Sequence, residues 1–182
     1  RWQHATLDCV KQLKEEYGIK AEDVKEVVIH SFAWVCTHEL YGPADMVDAQ
    51  FCIPYTVTMV LLGLHPGPAW YTDENLESKE ILDLSKKVRV ELDPELDKAY
   101  FERDQLSARV EITTKGGATF ETYVEIPRGD PRNPLTDREI EDKFRNQALY
   151  SLQEEEFEEA IRTIYDFENL DSVSDLMSLL TG

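Results

Sequence analysis

The sequence predicts an α+β fold, a two-layer α/β sandwich followed by C-terminal helices. The stretch "ARVEITTKGGATFETYVEI" (108–126) alternates apolar and polar residues around Gly116 and Gly117, which is typical of a β-hairpin. Elsewhere apolar residues recur at helical spacing, and the last of these segments are grouped after the hairpin. Antiparallel strands with helices grouped apart favour an α+β arrangement.

The first part of the chain contains a helix, a strand and a second helix. Apolar residues repeat at helical spacing up to Gly18, a residue suited to a left-handed cap, and predict a helix over 4–17. "EDVKEVVIHSF" is rich in β-branched residues and predicts a strand over 24–32. A helix is predicted over about 54–63, because the fixed φ and missing N–H of Pro54 suit a first helical position.

The remaining elements surround and follow the hairpin. "ESKEILDLSKKV" predicts a short helix, and the alternating "VRVEL" predicts a strand over 88–92. Three prolines and a glycine interrupt regular structure before Leu135. Thr136 and Glu139 then form a capping box that begins a helix over 137–148, and two more amphipathic helices finish the chain.

The composition shifts near residue 135. Residues 150–182 hold nine acidic residues against one arginine, yet they carry two apolar stripes. We therefore predict an α/β domain over 1–135 and a C-terminal helical segment over 136–182. The stripes pack either on each other and the sandwich, or on a domain that this sequence does not contain.

The charge and cysteine content exclude several classes of protein. A formal net charge of −18 argues against nucleic-acid binding, which needs clustered lysine and arginine, and fits an acidic cytoplasmic protein. No apolar run approaches the roughly 20 residues of a membrane span, and no signal peptide is recognisable. Three cysteines without CxxC spacing favour reduced thiols. The chain has no initiator methionine, and we expect it to be a piece of a longer protein.

Three stretches together carry a family resemblance: "HATLD" (4–8), "DAQFCIPY" (48–55) and "GDPRNPLTDREIEDKF" (129–144). Their order and spacing resemble the C-terminal half of the MmgE/PrpD family, which includes 2-methylcitrate dehydratase, cis-aconitate decarboxylase and iminodisuccinate epimerase. The resemblance implies a large helical domain and a smaller α/β lid, with the active site in the cleft between them. It also implies that the C-terminal helices pack on the helical domain, which supplies most of the acid–base residues and is missing here.

The resemblance assigns residues of all three stretches to the site. His4 matches the histidine at the head of the lid helix and Tyr55 the tyrosine that closes the second motif, so both are expected to be catalytic. Gly129, Asp130 and Arg132 fall in the family's Gly-x-Pro-x-Asn-Pro loop, and Gly129 and Arg132 are expected to bind substrate. Arg1, which lies just before His4, is expected to bind substrate as well, because its guanidinium can make a charge-assisted contact with a carboxylate.

The chemistry of such a family explains these residue types. A proton leaves or reaches a carbon next to a carboxylate, so the site needs hydrogen-bond donors and an acid–base pair. Tyr55 would lie near free backbone N–H groups of a first helical turn, where an anion is favoured. Its alternative is an interface tyrosine. His4 and Arg1 can instead be solvated side chains, and Arg132 can simply pin its loop to an acidic neighbour.

Other candidate groups are better explained as structural residues than as site residues. Cys52, where the family usually has serine, is expected to be a half-buried filler because no neighbouring histidine could serve as its base. His30 and His38 are poorly spaced for a metal, and no metal or cofactor is predicted. "GDPRNP" lacks the pattern of a phosphate loop.

The leading hypothesis is a hydro-lyase resembling 2-methylcitrate dehydratase of propionate metabolism, acting on a small di- or tricarboxylate. Decarboxylation and epimerisation are the alternatives within the family. Its partners would be the missing helical domain, or a separate chain in its place, and a second copy in a homodimer. Two hypotheses from other classes stay open: a non-catalytic module that senses an anionic metabolite, and an assembly subunit whose terminal helices mediate oligomerisation.

Overall fold

The computed structural model of the protein describes residues 1–181. The chain divides into two compact units, Arg1–Pro134 and Leu135–Gly182. Each unit has buried apolar clusters of its own. None of the helices in this part of the chain is long and apolar enough to cross a membrane.

The first unit combines four strands with seven helices among its described residues. The strands are β1 (Val24–Ser31), β2 (Val88–Leu92), β3 (Ala108–Thr114) and β4 (Thr119–Val124). The helices are α1 (His4–Tyr17), α2 (Ala33–Cys36), α3 (Met46–Phe51), α4 (Ile53–Leu62), α5 (Asp73–Leu76), α6 (Lys79–Ser85) and α7 (Pro94–Arg103). The second unit contains α8 (Asp137–Ala148), α9 (Glu154–Tyr165) and α10 (Val173–Thr181).

The strands form one mixed sheet in the order β2-β1-β3-β4. β1 pairs in parallel with β2, where Ile29 lies opposite Val90, and antiparallel with β3, where it lies opposite Val110. β3 and β4 are the predicted hairpin. The crossover from β1 to β2 contains α2–α6, as a parallel connection requires. The predicted α+β fold is confirmed.

Helices α1 and α4 cover one face of the sheet. Alternate strand residues point into the core that they form with these helices, including Val27, Ile29, Val88, Val90, Val110 and Ile112. Gln3, just before α1, contacts the first turn of α4, and Lys14 near its end contacts the last turn. The two helices therefore run side by side in the same direction.

The opposite face of the sheet carries a network of charged side chains. Arg109 pairs with Glu111 at 3.1 Å and with Glu121 at 2.9 Å. His30 lies 3.0 Å from Glu111, and Arg89 pairs with Glu26 at 2.8 Å. A sheet with one apolar and one charged face is the expected form of a two-layer arrangement.

Several boundaries agree with the sequence predictions. The first helix, the strand at 88–92 and the helix at 137–148 are found at the predicted residues, and Gly18 takes the left-handed conformation with φ of 64°. The capping box of Thr136 and Glu139 is present. Helices α3 and α7 were not predicted, because Ala49 and Ala99 are the single buried residue of each and leave little apolar periodicity.

The second unit buries few apolar side chains. Ala148, Leu152 and Phe157 form its cluster, with Phe144 and Leu180 packed against it. Many of its other large apolar residues are exposed, among them Ile140, Leu149, Tyr150, Tyr165, Phe167, Val173 and Met177.

Candidate functional site at the head of helix α1

The residues before α1 join three separate segments of the first unit. The Arg1 guanidinium donates to Asp130 Oδ2 at 3.1 Å. The Gln3 amide donates to the Gln50 carbonyl at 2.8 Å and accepts from the Thr56 hydroxyl at 2.6 Å. The head of α1 is thereby tied to the loop after the hairpin, to the end of α3 and to the first turn of α4.

A groove of about 410 Å³ lies at this junction. It is lined by Arg1, Trp2, Gln3, His38, Gln50, Phe51 and Ile53. Its size is within the usual range for pockets that bind small molecules. The lining combines a cationic group, two amides and an imidazole with aromatic walls, which suits a small anion that has an apolar part.

His38 is held in the groove by aromatic neighbours. Its ring meets Trp2 edge-on, with centroids 5.5 Å apart, and lies 5.8 Å from Phe51. His38 Nδ1 is 2.7 Å from the Trp34 carbonyl. In the neutral ring this contact places the proton on Nδ1, so Nε2 is left as the acceptor. Such an imidazole can take up a proton or donate to a carboxylate.

His4 is the first residue of α1 and is exposed. Its backbone N–H donates to the Arg1 carbonyl at 3.1 Å. His4 and Arg1 lie at the same helix end because they are three residues apart, and the groove adds His38, which is remote in sequence. The catalytic role of His4 and the substrate-binding role of Arg1 stay predictions.

Tyr55 is not placed as expected. Its side chain is fully buried, and its hydroxyl donates to the Trp70 carbonyl at 2.5 Å. The reason is that α4 is buried on two sides: Ile53 and Val57 face the sheet, whereas Tyr55 packs in a second cluster that contains Trp70. The expectation that Tyr55 lies at an anion-binding first turn of the helix is wrong for this structure, and the catalytic role of Tyr55 stays a prediction.

The start of α4 is also closed. The Ile53 amide donates to the His38 carbonyl at 3.1 Å, and the Cys52 thiol donates to the Leu40 carbonyl at 2.8 Å. Burial raises the pKa of Cys52, and the Tyr55 backbone amide offsets part of that rise. Cys52 is therefore a protonated, fully buried thiol that fills space and fastens the 38–40 segment to α4. Free backbone amides were expected at this helix start. The Ile53 amide is not free, because it already donates to the His38 carbonyl.

The loop after the hairpin is held together by Asp130. Arg132 donates to both oxygens of this carboxylate, at 2.9 and 3.2 Å, and its backbone amide donates to Oδ1 as well. Hydrogen bonds from Arg132 lower the pKa of Asp130 to about 2, and Arg1 adds to the effect. The Gly129 amide donates to the Asn133 carbonyl. Arg132 pins its own loop, which was the alternative role, and the substrate-binding role of Arg132 and Gly129 stays a prediction.

Metal ligands are not grouped in this part of the molecule. Within residues 1–181 there is no cluster of three or more histidine, cysteine, aspartate or glutamate side chains that could hold a metal ion. His30 interacts with Glu111 on the charged face of the sheet, and His38 lies in the groove.

Comparison with known proteins shows which family this chain belongs to. A family model described as the MmgE/PrpD C-terminal domain matches residues 1–167. The chain belongs to the MmgE/PrpD family.

Three characterised relatives show what members of the family do. The chain is 28% identical over 135 residues to the alkylcitrate dehydratase phiI of Talaromyces stipitatus, a match that covers 71% of this chain and 28% of that protein. It is 26% identical over 140 residues to the cis-aconitate decarboxylase of Homo sapiens, and 29% identical over 141 residues to that of Mus musculus. These two matches each cover 77% of this chain and 28% of the relative. The chain therefore spans less than a third of the length of these MmgE/PrpD relatives, which are a dehydratase and two decarboxylases.

Of the seven groove residues of this MmgE/PrpD chain, sequence reasoning named only Arg1 as a site residue. Trp2 and Gln3 carry no local signal beyond their place before α1. His38 was considered only as a metal ligand. It joins the groove because the 38–40 segment folds back onto the start of α4, and such a tertiary contact has no periodic signature in the sequence.

Proposed function

We propose that this chain is the C-terminal part of a lyase that acts on a small di- or tricarboxylate, and that the reaction resembles the 2-methylcitrate dehydratase reaction. The observation that carries the proposal is the groove at the head of α1, where the Arg1 guanidinium and the His38 imidazole meet aromatic walls beside His4. Membership of the MmgE/PrpD family and its dehydratase and decarboxylase relatives support it.

The proposed reaction is an elimination of water without a cofactor. A base removes the proton from a carbon next to a carboxylate, and the hydroxyl on the neighbouring carbon leaves with a proton from an acid. The products are an alkene and water. Negative charge grows on the carboxylate as the C–H bond breaks, so cations and hydrogen-bond donors around it lower the barrier. Decarboxylation and epimerisation within the family share this need, and they are the alternative reactions.

Two groove residues, Arg1 and His38, and two residues outside its lining, His4 and Gly129, have proposed roles. Arg1 binds a substrate carboxylate through charge-assisted hydrogen bonds, in addition to its contact with Asp130. His38 in the groove and His4 at the head of α1 serve as proton donor or acceptor. Gly129 shapes the loop that positions Asp130 through its left-handed backbone, with φ of 88°.

Tyr55 takes part only if its present contact is broken. The hydroxyl would have to leave the Trp70 carbonyl, to which it is bonded, before it could reach a substrate. Burial raises the pKa of Tyr55 to about 12, so the group is a proton donor at neutral pH. The catalytic role of Tyr55 therefore requires a conformational change, and the role of His4 does not depend on that change.

We further propose that the active enzyme needs a large helical domain, on which the C-terminal helices pack, and that it is a cytoplasmic homodimer. The exposed apolar residues of the unit Leu135–Gly182 support the first part of this proposal. A chain that covers about 28% of its relatives' length is not expected to turn over substrate alone.

The test is reconstitution with a helical half from the same family. The chain is co-expressed with that half, and turnover of 2-methylcitrate and of cis-aconitate is measured. Loss of an acid–base group typically lowers kcat by about 10²–10⁴-fold, which is expected for His4→Ala. His65→Ala is the matched control, because His65 is also exposed but lies in a loop away from the groove lining. For Arg1→Gln a rise in KM is expected.

Two results would contradict the proposal. The first is wild-type kinetics in the double variant His4→Ala/His38→Ala. The second is absence of turnover of both substrates by a reconstituted complex that is shown to be folded and assembled.

A further inference from the structure

A second cavity of the first unit lies at the opposite ends of α1 and α4. Its volume is about 600 Å³. Four lysines line it: Lys14, Lys20, Lys87 and Lys115. Lys14 is ten residues after His4, so along α1 this cavity is about 15 Å from the head of the helix. It is separate from the groove described above and shares no lining residue with it.

These lysines differ from several arginines of the unit. Arg1, Arg89, Arg109 and Arg132 each lie within 4.0 Å of a carboxylate. Among residues 1–181, none of the four cavity lysines forms such a pair. In a chain with a net charge of −18, the cavity lining holds four lysines against three carboxylates, so its formal charge is positive.

Two of the four lysines are fixed in place by the backbone. Lys14 Nζ donates to the Val60 carbonyl at 3.1 Å, and Lys87 Nζ donates to the Val24 carbonyl at 2.8 Å. An ammonium group has three N–H donors, so each of these two keeps donors for a ligand. Lys20 and Lys115 are exposed at the rim and have no hydrogen bond from their Nζ atoms in the described chain.

The rest of the lining indicates what kind of anion would fit. Ile19, Leu61 and Leu84 provide an apolar floor. Three carboxylates also line the cavity, those of Glu22, Glu80 and Asp83, and Asp83 is already paired with Lys86 at 2.8 Å. Glu22 and Glu80 can accept hydrogen bonds from hydroxyl groups of a ligand. The lining therefore suits a compact molecule with two or more negative charges and at least one hydroxyl group.

We propose that this cavity is a binding site for a small multivalent anion, bearing phosphate or carboxylate groups, that is distinct from the candidate active site. Lys14 and Lys87 form the fixed inner cations, and Lys20 and Lys115 close over the anion from the rim. The site does not depend on the proposed lyase activity, because it uses none of the groove residues.

The experiment titrates the 182-residue chain with pyrophosphate and, separately, with citrate. Binding is followed by calorimetry and by amide chemical shifts at neutral pH in low salt. We expect saturable binding of at least one anion, with the largest shifts at Lys20, Ala21 and Lys115. Pyrophosphate alone, citrate alone or both would assign the site to phosphate, to carboxylate or to multivalent charge in general.

Variants separate the site from unspecific attraction. Lys20→Gln/Lys115→Gln should weaken binding about tenfold, the effect of losing two charge-assisted contacts at a partly exposed site. Lys11→Gln/Lys98→Gln changes the net charge equally at exposed positions outside the cavity and should alter binding less than twofold. No binding of either anion at millimolar concentration would overturn the proposal, as would equal weakening by the two double variants.

Discussion

A single hydrogen bond, from the Tyr55 hydroxyl to the Trp70 carbonyl, holds the Tyr55 side chain in its buried position. The phenol is fully buried and its hydroxyl donates to the Trp70 carbonyl. We expect Tyr55→Phe to lower the free energy of unfolding by about 1–3 kcal/mol, because a buried carbonyl loses its donor. Urea unfolding measures the change. Tyr71→Phe is the control, since the Tyr71 hydroxyl has no such bond within the described chain.

The same variant tests the role of Tyr55 in catalysis. In the reconstituted enzyme, a fall in kcat far larger than the stability loss explains would show that the hydroxyl leaves Trp70 and reaches the substrate. A kcat within twofold of wild type would limit Tyr55 to a structural role.

Asp130 is expected to make the first unit sensitive to acid. Its pKa is lowered to about 2, against about 3.9 for an unpaired aspartate in an unfolded chain. A lowered folded-state pKa gives stability that is fully present above about pH 4 and is lost as the pH falls towards 2. Asp130→Asn should therefore be less stable than wild type at pH 6, and the difference should shrink by pH 2.5. Thermal unfolding of both proteins between pH 6 and pH 2.5 measures the difference in stability. A difference that does not change with pH would contradict the prediction.

At the scale of elements, Gly63 closes α4 in a conformation that other residues rarely adopt. Its φ is 80°, and an added Cβ would lie 2.8 Å from Lys14 Nζ. Gly63→Ala should cost about 1–2 kcal/mol of unfolding free energy because of the left-handed backbone. Gly116→Ala is the matched control: no positive φ is found there, and the nearest atom to an added Cβ is 3.8 Å away. Equal losses of unfolding free energy in the two variants would show that the left-handed backbone of Gly63 is not the cause.

The same elements show what the sequence could predict. The boundaries of α1 and α8 were predictable because Gly18 and Thr136 cap them through local contacts. The orientation of Tyr55 was not, because eight of the ten residues of α4 are buried and the helix has no single apolar face. The side that receives Tyr55 is built by the segment around Trp70, fifteen residues later. Periodicity alone does not contain that information.

At the scale of the whole molecule, the unit Leu135–Gly182 leaves several large apolar side chains exposed. Leu149 is 62% exposed and Tyr165 is also 62% exposed. If a helical domain covers this surface, Leu149→Glu/Tyr165→Glu should abolish association with that domain and leave the first unit folded. Size-exclusion chromatography of the co-expressed pair measures association. Arg138→Glu is the control, because its side chain is 90% exposed in the same unit. Unchanged association in the double variant would exclude this face as the contact.

The side-by-side course of α1 and α4 has an electrostatic consequence. Each helix has a dipole, and two dipoles that point the same way repel each other when they lie alongside. Lys14 lies in the last turn of α1 and donates to a carbonyl in the last turn of α4, so one cation serves the negative poles of both helices. The positive poles of both helices lie at the head of α1, beside the groove, in a chain whose net charge is −18. The positive ends of the two helix dipoles thus oppose, at this place, the negative potential of the acidic side chains.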